Sequence, residues 1–405
     1  MGAVMEARPR RVLILAGDTD GNLGDRAIVL STCEELRRIH PSVRISLVSG
    51  APARDRDTFR ADTIARGPRG LPGLVASAMR SDVVLCGGGG LFQDDTSLLK
   101  MPYWALRLAL LRCVTRNIVG YSLGVGPLRH ASSRLAARLA FACMRRVSVR
   151  DALARQTAAA LTSKPVRVVA DPALSLVPAP AGEAREFLRR EGVPLDGAPL
   201  VGVAVRRWFH HSTTLVPHKY AVRFHLRKVR GQESCERMMS LLARALDSVV
   251  ARHDAFILFM PTYLVRHEAD DEICRQVMAR MTSRRKALIR VEEPRLYKAV
   301  TGRLAVMLGG RMHPAIFCAA MGKPVIGLSY NPKFEGFFRL IGLEDRLIRV
   351  EEFVGRGLDG QLEELLSASI NDGSRVLPKI EAAIEDARRF TESVLSSPTG
   401  EGAVP

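Results

Sequence analysis

Short runs of β-branched and other apolar residues recur along the whole chain. Nearly every run leads through a glycine-bearing loop into a helix-length stretch with apolar residues three or four apart. That alternation is the signature of βαβ units, and it forces parallel sheets covered by helices on both faces. Strands are predicted at Val12–Ala16, Arg44–Val48, Asp82–Leu85, Asn117–Tyr121, Val147–Val149 and Val166–Val169, with helices over Asp25–Ile39, Leu98–Val114 and Ser133–Met144. The pattern then loosens in "VPAPAGEAREFLRREGVPLDGAP", whose prolines and small residues suggest a linker carrying one short helix. It restarts with Leu200–Val205, Ala255–Met260, Ala287–Val291, Leu304–Leu308 and Pro324–Leu328. A chain of 405 residues is also too long for one ordinary core. The expected architecture is α/β, two Rossmann-like doubly wound domains facing a cleft. Residues 1–176 form the first domain in this reading, 177–198 the linker and 199–375 the second domain. Residues 376–398 are expected as a helix packing back onto the first domain, and 399–405 as a disordered tail.

Ligands of such sheets sit beyond the carboxyl ends of the strands, so the loops after strands carry the candidate residues. The first, "GDTDGNLGDRAI", brings Asn22 and Gly24 to a helix whose first turn holds Asp25, a position that favours a carboxylate. Asn22 and Asp25 also have a purely structural reading as turn former and cap. The loop is neither a dinucleotide fingerprint nor a Walker sequence. In "CGGGGLFQDD", Gly88 and Gly89 belong to a run of glycines that suits a backbone passing close to a ligand or to the opposing domain. Gln93, Asp94 and Asp95 follow as acceptors for hydroxyls. "SVRDALA" sets Arg150 and Asp151 at a helix start, read as ion pair and cap.

In the second half Arg206 ends a strand, and His267, Asp270 and Asp271 stand at a helix start. "GGRMHPAIF" then runs a strand into Gly310, Arg311 and His313 before an apolar helix, and "GLSYNPKFEGF" adds Tyr330 and Lys333. Glycines permit close approach, and a helix start favours anions. Arg206, Arg311, His313 and Lys333 would thus face one side of one sheet, a convergence suited to a ligand bearing phosphate and carboxylate.

The net charge of +18 fits the same reading, since it favours nucleic acid, an anionic membrane surface or anionic small substrates. Nucleic acid is not expected, because no zinc-finger spacing, RNA-recognition aromatics or basic zipper is present. The seven cysteines include no C-x-x-C pair and no metal-like spacing with histidine, so no metal is expected and the thiols read as reduced, in a cytoplasmic protein. The N-terminus goes from a short basic lead straight into a strand, with no signal-peptide core. No stretch reaches the roughly 20 apolar residues that span a bilayer. "WALRLALLRCV", broken by Arg107 and Arg112, reads as a core-packing amphipathic helix, with rest on a membrane surface as the alternative.

Taken in order, "GNLGDRAI", "GGGGLFQDD", "GVGP", "SVRD", "ADP", "VAVRRW" and "GGRMHPAIFCAAMGKPVIGLSYNPK" resemble the polysaccharide pyruvyl transferase family from about Gly21 to Lys333. R-x-H followed by "SYNPK" is the specific part. The resemblance implies a GT-B-like pair of domains, with the acceptor on the first and the donor on the second. It further implies transfer of pyruvate from phosphoenolpyruvate, as a ketal, to a sugar of a cell-surface glycan or its lipid-linked precursor. Phosphoenolpyruvate is then a co-substrate, and no other cofactor is expected. Arg206, Arg311, Lys333, Gly310 and Tyr330 would bind it, and His313 would protonate its methylene carbon. Asp25 or Asp94 would act as base, with Asn22, Gly88, Gly89 and Gln93 on the acceptor side. The segment "PTYLVRHEADD" and the basic insertion Phe209–Gly231 depart from the family pattern. The insertion could hold the enzyme at anionic lipid on the inner face of the cell membrane. The alternatives are a GT-B glycosyltransferase using a nucleotide sugar, with Glu335 near its ribose, and a non-catalytic glycan- or membrane-associated protein.

Overall fold

The computed structural model describes residues 10–95, 97–195, 197–207, 231–263, 269–371 and 376–396. Residues 209–230 of the basic insertion, His267 and the tail lie outside the described residues.

Two parallel sheets organise the chain. The first contains β1 (Arg11–Leu15), β2 (Arg44–Ser49), β3 (Asp62–Ala65), β4 (Val83–Gly87), β5 (Ile118–Leu123), β6 (Arg146–Val149) and β7 (Val166–Val168). Its seven strands run in the order β3-β2-β1-β4-β5-β6-β7. The second contains β8 (Leu200–Ala204), β9 (Phe256–Phe259), β10 (Lys286–Leu288), β11 (Val306–Gly309), β12 (Val325–Ser329) and β13 (Leu347–Arg349). Its order is β10-β9-β8-β11-β12-β13. Every pairing is parallel, from Val12 opposite Ile45 at one switch strand to Leu308 opposite Val203 at another. The α/β, doubly wound expectation holds.

The central strands β4, β5, β8 and β12 are buried at every position, as a sheet covered on both faces requires. Two edge strands, β3 and β13, were not among the predicted ones. Each is short and partly exposed, so neither carries an apolar run, and pairing to a neighbour alone defines it. Helix starts follow local chemistry. Asn22, Asp151 and Asn331 cap the helices Leu23–Ile39, Ala152–Ala159 and Pro332–Ile341 by accepting backbone N–H groups with their side chains.

The inner faces of both sheets share one apolar core. It runs from Ile14 and Leu36 through Leu174 to Tyr297, Phe317 and Phe390. Separate cores fill the outer faces of the two sheets. The helix Leu377–Ser396 lies against the first sheet, where Tyr121 OH is 2.8 Å from Thr391 Oγ1 and Arg146 Nη1 donates to Ser393 O at 3.1 Å. Lys298, on the helix Pro294–Thr301, donates to Leu174 O and Leu176 O at 2.7 Å each. Arg295 pairs with Glu34 nearby. Among the described residues, no helix is long and apolar enough to cross a membrane.

Candidate active site

Both sheets reverse strand order at a switch point, β1/β4 in the first and β8/β11 in the second. The carboxyl ends of these strands meet across the interdomain gap and enclose a cavity of about 250 Å³. From the first domain come Asp18, Asn22, Gly24 and Asp25 after β1, Gly90, Gln93, Asp95 and Lys100 after β4, and Arg150 after β6. The second supplies Arg206 after β8, Thr262 and Tyr263 after β9, Arg311 and His313 after β11, and Tyr330 and Lys333 after β12. The two walls touch directly. Tyr263 OH donates to Asp18 Oδ2 at 3.1 Å, and Asn331 Nδ2 to Asp95 Oδ2 at 3.4 Å.

Glycines close the floor. Asp25 receives the N–H of Asp18 at 2.8 Å, and its carboxylate is cradled by Gly17 and Gly89, where an added Cβ would lie 2.6 Å from its oxygens. A Cβ on Gly24 would overlap the His313 imidazole, so that ring rests face-on against the first domain. Burial pushes the Asp25 pKa up to about 6, partly opposed by the Asp18 N–H. Burial also pushes His313 down to about 4, against the pull of Asp171, while Arg150, Lys333 and Arg311 lower it further. The imidazole is therefore neutral near pH 7, not poised near neutrality as a free histidine would be. Its Nε2 has no hydrogen-bond partner among the described residues and lies 3.9 Å from Asp171 Oδ2, which likewise has none.

The cations are graded by their neighbours. Asp270 is buried and grips Arg311 through Nε at 2.9 Å and Nη2 at 2.5 Å. Arg150 is only 6% exposed and stands 3.6 Å from both Asp151 and Asp171. Arg206 places its guanidinium 4.3 Å from the Tyr330 ring centre, and Lys333 Nζ lies 5.0 Å from it. Burial alone would raise the Tyr330 pKa, but Lys333, Arg206 and Arg311 together outweigh it and bring the phenol down to about 7. Lys100 donates to Gly90 O at 2.7 Å, and burial lowers its pKa while Asp95 and Asp25 pull it back.

The cavity gathers His313, Asp25, Arg206, Arg311, Lys333, Tyr330, Asn22 and Gln93. Four expected members lie elsewhere. Asp94 is fully buried beneath the floor, where its carboxylate accepts the N–H groups of Arg129 and His130 at 3.1 and 2.9 Å, so it fixes a loop and faces no ligand. Gly88 and Gly89 adopt positive φ and press against Ile28 and Asp25, shaping the floor from behind. Gly310 spends its N–H on Ala204 O at 2.8 Å, which removes it as an anion donor. Conversely, the sequence reading passed over Lys100 and took Arg150 only as a structural ion pair. Asp270 entered it as a helix start and Asp171 only within the "ADP" segment, without their partners Arg311 and His313. Among the described residues, no cluster of His, Cys, Asp and Glu could hold a metal ion.

The family model of polysaccharide pyruvyl transferase matches residues 22–332. In fold, the chain is similar to the UDP-GlcNAc 2-epimerase of Methanocaldococcus jannaschii, with a TM-score of 0.58 at 10% identity over 94% of this chain and 99% of that one. It is also similar to S. aureus MnaA in its UDP co-structure (0.57, 12% identity, 97% and 100% covered). A glycosyltransferase from Rickettsia africae gives 0.54 at 10% identity, with 97% and 100% covered. At these identities the likeness is one of fold alone. No curated protein is a significant match.

Proposed function

Because the chain belongs to the polysaccharide pyruvyl transferase family, we propose that its interdomain cavity binds phosphoenolpyruvate and passes the pyruvyl group to a sugar as a ketal, releasing phosphate. The acceptor is a sugar of a cell-surface polysaccharide or its lipid-linked precursor. One observation carries the reading. Lys100 and Arg150 from one domain and Arg206, Arg311 and Lys333 from the other converge on a cavity that also holds His313 and Asp25.

The donor is a small anion with charge at both ends. Arg206, Arg311 and Lys333 would take its carboxylate and phosphate, and the negative charge so brought in would oppose the burial that chiefly holds His313 neutral. The imidazole gains a proton as the anion arrives and delivers it to the methylene carbon. The carbon becomes a methyl group, and its neighbour an oxocarbenium-like centre. A sugar hydroxyl adds there. Phosphate leaves with the C–O bonding pair, and a second hydroxyl closes the ketal. Of the two hydroxyl protons released, one restores His313 and the other leaves on phosphate. Asp25, with a pKa of about 6, is ionised at neutral pH yet basic enough to take a hydroxyl proton.

His313→Ala should lose ketal formation by roughly 100- to 10,000-fold while keeping thermal stabilisation by phosphoenolpyruvate. Incubating candidate glycans with donor and weighing the products reads the first. At a donor concentration about 100 times its Kd, a site specific for it adds about 2.7 kcal/mol of stability. Stabilisation by a uridine-diphosphate sugar and none by phosphoenolpyruvate would replace this reading with a nucleotide-sugar glycosyltransferase.

A further inference from the structure

From Thr96 to Arg150 the chain contains no aspartate or glutamate, yet it carries arginines at 107, 112, 116, 129, 134 and 138 and more beyond. Two helices in this stretch, Lys100–Arg112 and Ala131–Ala142, pack side by side on the outer face of the first sheet. Their inward faces are ordinary core, with Trp104, Leu108 and Leu111 on one and Ala137, Ala140 and Phe141 on the other. Their outward faces are not ordinary surface. The first helix turns out Tyr103, Leu106 and Leu110, one helical stripe, with Leu106 75% exposed. The second turns out Leu135 and Leu139, 58% and 56% exposed. Exposed Arg112, Arg134 and Arg138 stand beside these side chains.

We propose that this paired-helix face docks the protein on an anionic lipid surface. The leucines would enter the acyl boundary, while the arginines lay their stems on it and their guanidinium groups among the headgroups. Charge of a single sign over the whole stretch, with no carboxylate to specify a protein partner, favours a lipid sheet over a folded one. The face is also wired to the cavity. Lys100, first residue of one helix, lines it, and Asp94 ties the loop bearing Gln93 and Asp95 to Arg129 and His130, just before the other helix. Docking there presents the cavity wall to the membrane, where a lipid-linked sugar would arrive. The docking stands independently of the pyruvyl reading. That consequence for the acceptor rests on it.

The test is co-sedimentation of the full chain with phosphatidylcholine vesicles, with and without phosphatidylglycerol in equal amount. Binding is expected only with phosphatidylglycerol and should weaken as salt rises. Leu106→Glu/Leu139→Glu should reduce it about tenfold or more while retaining a cooperative thermal transition. Arg134→Gln/Arg138→Gln should weaken binding and flatten its salt dependence, and it carries the test if the first pair fails to fold. Wild-type affinity in both variants would overturn the proposal, as would absence of binding at low salt. A dimer in solution that the leucine substitutions dissociate would assign the face to a second copy of the chain instead. None of these readouts involves phosphoenolpyruvate, so failure here leaves the catalytic reading untouched.

Discussion

Asp25 and His313 line the cavity from different domains, and burial displaces each against its charged form. The carboxyl rises from 3.8 to about 6 and the imidazole falls from 6.5 to about 4. Their effects on stability oppose one another. Between about pH 4 and 6 the folded chain holds a proton on Asp25 that the unfolded chain has lost, so this group makes stability fall as pH rises. Across nearly the same window the unfolded chain protonates His313 and the folded chain does not, so that group makes stability rise with pH. Asp25→Asn should leave the His313 slope exposed and add roughly 1–3 kcal/mol at pH 7, at the expense of turnover. His313→Gln should show the opposite slope below pH 6. Denaturant titrations from pH 4 to 7 read both, and identical profiles for the two variants would refute the opposed shifts. His313, Arg311, Lys333 and Arg206 were legible in the sequence because each follows a strand in a recognisable motif. The displaced acidities were not, because desolvation arises where the His313 ring lies on Gly24 of the other domain and where the Asp25 carboxylate sinks between Gly17 and Gly89.

Loops and helix starts decide which of these side chains reach the cavity. Gly24 lies inside the first turn of the helix Leu23–Ile39, where glycine-to-alanine exchange ordinarily stabilises by up to about 1 kcal/mol. Here the added methyl would strike the His313 imidazole. Gly24→Ala should therefore destabilise by about 1–3 kcal/mol and depress ketal formation, and thermal unfolding with activity assays will show it. A stabilised, active variant would mean that the ring does not pack there. Lys100 shows why some members escaped the sequence reading. On an amphipathic helix nothing local separates it from Arg107 or Arg112, and only the fold turns its amine back to Gly90 O. Arg150 was legible as an ion pair. Its place in the cavity depends on Gly124, where a Cβ would lie 3.0 Å from the guanidinium carbon.

The molecule as a whole is held closed by a core common to both domains and by a few buried polar ties. Lys298 is the most demanding of them. Burial lowers its pKa to about 8, with Glu34 pulling it back up, and its ammonium satisfies the carbonyls of Leu174 and Leu176 where the first domain ends. Lys298→Ala would strand both carbonyls, a cost of about 2–4 kcal/mol, and should loosen the domain contact beneath the cavity. Calorimetry and small-angle scattering would register a lower Tm and a larger radius. An unchanged Tm would show that the carbonyls find other donors.

Periodicity and the glycine-rich strand ends were local properties of the chain, and they sufficed for two doubly wound sheets and for the cations after β8, β11 and β12. The edge strands β3 and β13, the retreat of Asp94 beneath the floor and the capture of Arg311 by Asp270 were not local. Each depends on which groups of distant segments come into contact once each domain folds, because hydrogen bonding, ion pairing and desolvation act over a few ångströms of space regardless of separation along the chain.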